Sequence, residues 1–415
     1  MADTNHDNII ENYLISYKLQ NVKNNIFKSK NITSISDIQS YPLLNMGYHY
    51  WITDLKKEKT EYDKFINKKK VYKVLNKFNI NIDNYENDIE NLINKNLKIK
   101  IISDEFCKIW ELLFYYDIIK KESSFKSLEI SNYKGAYTQS IMNYRNKYFS
   151  NSKDTYIIAN NSDNPVNNDI SKNKNVKVVQ TLNNLEKNYK NNINLIVGGC
   201  KFEQIPENLR EQSVFEEIFE QILYASKCQS KGGCLILKFV ETYSIISIKL
   251  FLILQELYES VKIIKPLTSD ISNTEKFVVC QNFKLNKDTS NYIKILEKIY
   301  DEINKKQKKD FITDIFNEYN LDIEYKKSLI NINSFMSNIK FLYTNMTLDF
   351  IKEQNYHGNK YTENRENQIK ASILWNDLFL PDKLENSKKI LSKIIDSKNE
   401  FITKKFNEIK KKIID

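Results

Sequence analysis

The stretch GGCLILKFVETYSIISIKLFLILQELYESVKIIKPLTSDISNTEKFVVC, residues 232–280, decides the fold. It opens on a Gly-Gly break and a short apolar run ending in Lys238. A run of that length behind glycines reads as a buried strand. SIISIKLFLILQELYE (244–259) follows as a helix, and VKIIKP and KFVVCQNF form a closing antiparallel pair across a polar turn. That turn is unusual. Gly or Asn-Gly would serve a tight hairpin, yet this one carries Lys265, Ser269, Asp270 and Asn273, with Glu275 at the mouth of the returning strand.

The alternation continues upstream. FKSLEIS (125–131), TYIIAN (155–160), VKVVQ (176–180) and INLIVGG (193–199) read as strands. GAYTQSIMNYRNKYF (135–149) reads as a helix. So does ENLREQSVFEEIFEQILYASK (207–227), with Val214, Ile218 and Ile222 on one face. Repeated βα units ending in an antiparallel pair predict an α/β fold with a doubly wound, Rossmann-like sheet. Three regions are expected: a helical or mixed N-terminal part (1–103), the α/β domain (104–287) and a helical extension (288–415). The Asn/Ser-rich segment 160–175 reads as an insertion between strands.

The 415 residues carry a net charge of +10, which suits a polyanionic partner such as RNA. The signal is weak, because Lys, Asn and Ile are abundant throughout while there are 7 Gly and 5 Pro, as AT-rich coding would give. Cys107, Cys200, Cys228, Cys234 and Cys280 are scattered in apolar runs and read as buried thiols in a reducing, cytoplasmic setting. His6, His49 and His357 are far apart, so no metal site is expected. No segment has the pattern of a signal peptide or a membrane span.

Residues 232–280 resemble the end of the RrmJ/FtsJ-type ribose 2'-O-methyltransferase domain. There a glycine pair leads a strand ending in a catalytic lysine, and a hairpin of the form KP-x-x-S-x-x-x-S/N-x-E follows. The matching positions are Lys238 and Glu275. DEFCKIWELL (104–113) is similar to the family's first helix and places another lysine at Lys108. NYKGAYTQSIMNYRNKY (132–148) is similar to the methyl-donor loop and its helix. These two segments, with MGYHYW (46–51), resemble the version found in large cytoplasmic DNA viruses. The resemblance implies a class I methyltransferase domain, S-adenosylmethionine as donor, capped RNA as substrate and a cytoplasmic or virion setting. It also implies a Lys-Asp-Lys-Glu tetrad around the ribose hydroxyl, with a lysine made partly neutral to take the 2'-OH proton.

Three departures fall on the chemistry. Gly199 stands where the tetrad Asp belongs, and the next acid is Glu203. The donor loop reads Asn132, Tyr133, Lys134 before a single glycine, Gly135, so bulk stands where backbone must approach the cofactor. Asn160 and Asn161 stand where an acid would hold the cofactor ribose. The expectation is a catalytically degenerate domain that keeps an RNA or protein surface for capping. An active cap methyltransferase is the alternative, and a structural virion component the weaker third. Simpler roles stay open for each residue. Lys108 fits an (i, i+4) pair with Asp104, Lys238 a solvated strand end, Glu275 a turn cap and Gly135 a helix start. Tyr48, Tyr50 and Trp51 fit packing, and the basic C-terminal helix FITKKFNEIKKKIID a solvated face.

Overall fold

A computed structural model describes residues 14–19, 25–29, 33–36, 70–83, 85–119, 124–149, 153–160, 165–202, 204–205, 207–307, 310–353, 358–385 and 387–398. The aromatic cluster 46–51, Glu203, Asn161, the three histidines and the C-terminal basic segment lie outside them.

The βα alternation forms one eight-stranded sheet. The chain enters it with β1 (Ile15–Lys18). After β2 (Ser34–Ser36), helices α1 (Ile89–Leu97) and α2 (Glu105–Tyr115) lead to β3 (Lys126–Ser131). Then come α3 (Ala136–Tyr148), β4 (Thr155–Ala159), α4 (Asn168–Ser171), β5 (Val176–Val179), α5 (Asn183–Tyr189) and β6 (Ile193–Gly199). The second half runs α6 (Glu207–Cys228), β7 (Gln229–Phe239), α7 (Ile245–Leu257), β8 (Tyr258–Lys265) and β9 (Lys276–Phe283). The sheet order is β1-β8-β9-β7-β6-β3-β4-β5. β3 to β7 pair in parallel, and β9 runs antiparallel between β7 and β8. This is a Rossmann-like sheet with a reversed last strand, as the sequence led one to expect. β1 adds an eighth strand antiparallel to β8. Pairing with β8 sets its place in the sheet, and four residues carry too little periodicity to announce it.

Strand burial explains the unbroken apolar runs. In β6 and β7 the residues from Leu195 to Val197 and from Leu235 to Leu237 are fully buried, because helices cover both faces. One core packs α6, α7 and α8 (Lys287–Lys305) against one face; the other packs α2, α3 and α10 (Asn359–Phe379) against the opposite face. α7 is apolar nearly all round and is sandwiched accordingly. α8 begins in a capping box of Asn286 and Thr289, which marks its start sharply.

The chain after residue 287 is built onto this body. β10 (Phe311–Asp314) pairs with β2, and α9 (Ile323–Lys352) and α10 follow. Trp110 of α2 donates its indole N–H to Phe379 O at 2.6 Å, and Asn333 of α9 donates to Thr242 O at 2.7 Å. All five cysteines are buried and none forms a disulfide. Among the described residues no helix is long and apolar enough to cross a membrane.

Candidate active site

In an open α/β sheet, ligands lie beyond the carboxyl ends of the strands where the strand order reverses. Here that point falls between β3 and β6, whose last residues Ser131 and Gly199 are paired. Lys238, next to the end of β7, is one strand further along, and the hairpin brings Glu275 to the same end. α2 crosses it with Lys108.

The structure brings Lys108, Lys238 and Glu275 into contact. Glu275 Oε1 is 2.9 Å from Lys108 Nζ, and Oε2 is 3.1 Å from Lys238 Nζ. The expected Lys108–Asp104 pair also exists, at 3.2 Å, but Asp104 is exposed and Lys108 is buried. The fourth member is Glu105. Its Oε1 accepts from Lys108 at 2.8 Å and from Lys238 at 2.7 Å, and its Oε2 accepts from the Tyr137 hydroxyl at 2.9 Å. Two lysines and two glutamates thus close a neutral, buried network, with all four residues at most 3% exposed. A carboxylate from α2 lies between the two lysines, and Gly199 contributes none. Glu105 was not read from the sequence, although it precedes Lys108 by three positions and so shares its helix face.

Position 199 has no room for a side chain. A Cβ there would lie 2.5 Å from the Tyr137 hydroxyl and 3.1 Å from Tyr133 Cε2. Tyr133 donates to Cys200 O at 2.7 Å, accepts from Lys238 at 2.9 Å and lays its ring 4.7 Å from that ammonium. Phe202 closes the other side, its ring centre 4.9 Å from Lys238 Nζ. Lys238 is therefore not a solvated strand end; it is caged by two carboxylates and two aromatic rings.

Electrostatics follow from this packing. Burial alone pulls the Lys238 and Lys108 ammonium groups toward neutrality, but Glu275 and Glu105 outweigh it and hold both pKa values above the ordinary lysine range. Burial pushes the Glu275 carboxyl up, but Lys108, Lys238 and Lys265 overcome it and hold it well below the usual carboxylate range. As arranged, the network favours the charged form of both lysines.

The donor loop is filled as well. Lys134 and Gly135 both take the left-handed conformation, with φ of 58° and 89°. A Cβ on Gly135 would meet Ile158, Ile170 and Val166 at 3.2–3.4 Å. The last two come from the insertion, whose Asn167 N–H donates to Lys134 O at 3.0 Å. Buried Glu129 accepts from Ser131 Oγ and from Thr138 N, both at 2.7 Å, and so occupies the amino end of α3. Asn160 continues the β4–β5 pairing, its N–H donating to Val179 O at 3.0 Å. Ile158, Val166 and Ile170 thus pack against the backbone at Gly135.

The hairpin turn now has a role. Lys265 Nζ donates to Asn273 O, Asn273 Oδ1 and Glu275 O, each at 3.0 Å, and Asn273 Oδ1 also accepts Glu275 N–H at 3.1 Å. The lysine and asparagine staple the turn from inside and aim Glu275. Glu111 of α2 anchors its start, accepting from Leu267 N, Thr268 N and Thr268 Oγ1, and from Trp375 Nε1 of α10.

Residues 105–283 match the family described as FtsJ-like methyltransferase. The chain is 25% identical over 232 residues to a Drosophila melanogaster cap-specific mRNA (nucleoside-2'-O-)-methyltransferase 2, covering 49% of this chain and 32% of that protein. It is 25% identical over 332 residues to an uncharacterized protein of Acanthamoeba polyphaga mimivirus, covering 72% of this chain and 41% of that one. It is 23% identical over 164 residues to a Caenorhabditis briggsae protein named an inactive cap-specific mRNA (nucleoside-2'-O-)-methyltransferase 1B, covering 39% and 19%. The match spans less than half the length of each of these relatives.

Proposed function

We propose that this chain, whose residues 105–283 are an FtsJ-like methyltransferase domain, is a catalytically degenerate relative of the cap ribose 2'-O-methyltransferases that binds RNA in mRNA capping or processing. The observation that carries the reading is the plug at the strand-order reversal. Tyr133 and Tyr137 fill the space over Gly199, and one of them lies on Lys238. Methyl transfer to a hydroxyl needs the donor, the hydroxyl and a proton acceptor within one small space. Here that space holds the protein's own rings, and the lysine that would accept the proton is held charged.

RNA as partner is supported by the mRNA cap enzymes among the relatives and by the net charge of +10. The similarity to a mimivirus protein supports a viral, cytoplasmic setting. One observation favours the alternative, an active cap 2'-O-methyltransferase: Glu105 restores a carboxylate between the two lysines, so a Lys-Glu-Lys-Glu set survives. Calorimetric titration with S-adenosylmethionine and S-adenosylhomocysteine separates the two. The expected result is no binding at millimolar concentrations. Micromolar binding, followed by capped-RNA methylation that Lys238→Ala abolishes, would sink the degenerate reading.

A further inference from the structure

A second cluster of cations lies on the far side of the hairpin. A cavity of about 320 Å³, counting its open mouth, is walled by the turn, by α9, by Ile15 of β1 and by Tyr243. Its floor has room for about one water-sized group. Lys265 and Lys276 both line it, at 5% and 2% exposure. Neither has a carboxylate within ion-pair distance among the described residues. Lys265 spends its three protons on the turn carbonyls and Asn273. Lys276 has two acceptors, Val240 O and Thr274 O, leaving one of its three protons without a partner. Across the cavity Ser337 of α9, 6% exposed, lines the opposite wall.

Buried ammonium groups without counter-ions are costly. Among the described residues, Glu241 accepts from Thr274 Oγ1 and faces Arg210 through Oε1 alone, its Oε2 having no hydrogen-bond partner, and Glu211 accepts from Ser244. Both act on Lys276 from a distance, and neither forms an ion pair with it among those residues. Lys340 adds positive charge on the α9 side. What remains is a partly apolar recess with two buried lysines in its wall and a floor the size of one oxygen. We infer that this cavity binds an oxyanion of the phosphate class, one oxygen seated between Lys276 Nζ and Ser337 Oγ, with Lys265 supplying charge. α9 lies outside residues 105–283, so this wall is not part of the matched methyltransferase region. The inference stands whether or not methyl transfer survives.

The test titrates the full chain with inorganic phosphate and, at equal ionic strength, with chloride, following the melting temperature. Phosphate stabilises many proteins through exclusion from their surface, so the decisive comparison is with Ser337→Ala and Lys276→Met. Each is referred to its own chloride curve. A phosphate response in the wild type that weakens about tenfold or more in apparent affinity in both variants is expected. Ser337→Ala removes one oxygen atom, and carries the test alone if Lys276→Met does not fold. A response no larger than the chloride response, or one unchanged in the variants, overturns the site. Competition with phosphate by a short RNA lacking terminal phosphates assigns the anion to a nucleic-acid backbone; competition by nucleotides but not by that RNA assigns it to a small ligand.

Discussion

Glu105 Oε1 lies 2.7 Å from Lys238 Nζ, across 133 positions of sequence, and the same oxygen lies 2.8 Å from Lys108. One carboxylate oxygen therefore bridges both buried lysines. Removing its charge leaves two ammonium groups sharing Glu275 alone. Glu105→Gln keeps the shape, and it is expected to cost about 3–5 kcal/mol of unfolding free energy, the usual penalty for breaking a buried ion pair. Urea denaturation at neutral pH measures it. A loss of about 1 kcal/mol or less, typical of exposed pairs, would mean the network opens to water.

The fold was legible because the strands are buried on both faces and their apolar runs are unbroken. INLIVGG became β6 residue for residue, and KFVVCQNF became β9. Lys108, Lys238 and Glu275 were legible through the family pattern, and the structure places them in contact. Glu105 was not, because nothing local distinguishes it from Asp104 beside it; only the fold turns one inward and the other to solvent. Nor was the role of segment 165–171. Val166 and Ile170 are two apolar residues in a polar loop, and their burial over Gly135 depends on where β4 and α3 stand.

Restoring an acid at position 199 should harm the protein. Gly199→Asp would drive its Cβ against the Tyr137 hydroxyl and the Tyr133 ring and add a charge beside Glu105. Overpacking of this kind costs about 1–3 kcal/mol. Tyr137→Ala alone should also destabilise, by opening a cavity. In the double variant the two costs should partly cancel, since the space vacated by Tyr137 takes the aspartate. Strict additivity of the two melting-curve losses would show that the tyrosine is not what fills the position.

Glu111 joins three parts of the chain: α2, the start of the hairpin turn and Trp375 of α10. Glu111→Ala strands two backbone N–H groups, a hydroxyl and an indole N–H in a buried place. Each unsatisfied buried donor costs about 1–3 kcal/mol. The expected result is a large loss of stability, with faster proteolysis within 359–398 than in the sheet. Uniform protection across the chain would show that α10 is held by its apolar contacts alone.

The two sets of buried charges give opposite pH signatures. Glu275 is held below its unfolded value of about 4.3, so its contribution is present above that pH and is lost as pH falls through the folded value. Lys108 and Lys238 are raised, so their contribution is complete at neutral pH and fades only above the unfolded lysine value, about 10.4. Lys265 and Lys276 are the reverse case: burial lowers them to about 7 and about 8. Between those values and about 10.4 the unfolded chain binds more protons than the folded one, and stability rises with pH by up to about 1.4 kcal/mol per unit for each lysine. Urea denaturation in steps from neutral to mildly alkaline pH, without phosphate, should show this rise. Lys276→Met should remove its share of the slope while leaving the acid limb, set by Glu275, in place. A flat alkaline limb in the wild type would mean that both lysines reach water or a counter-ion in the folded chain.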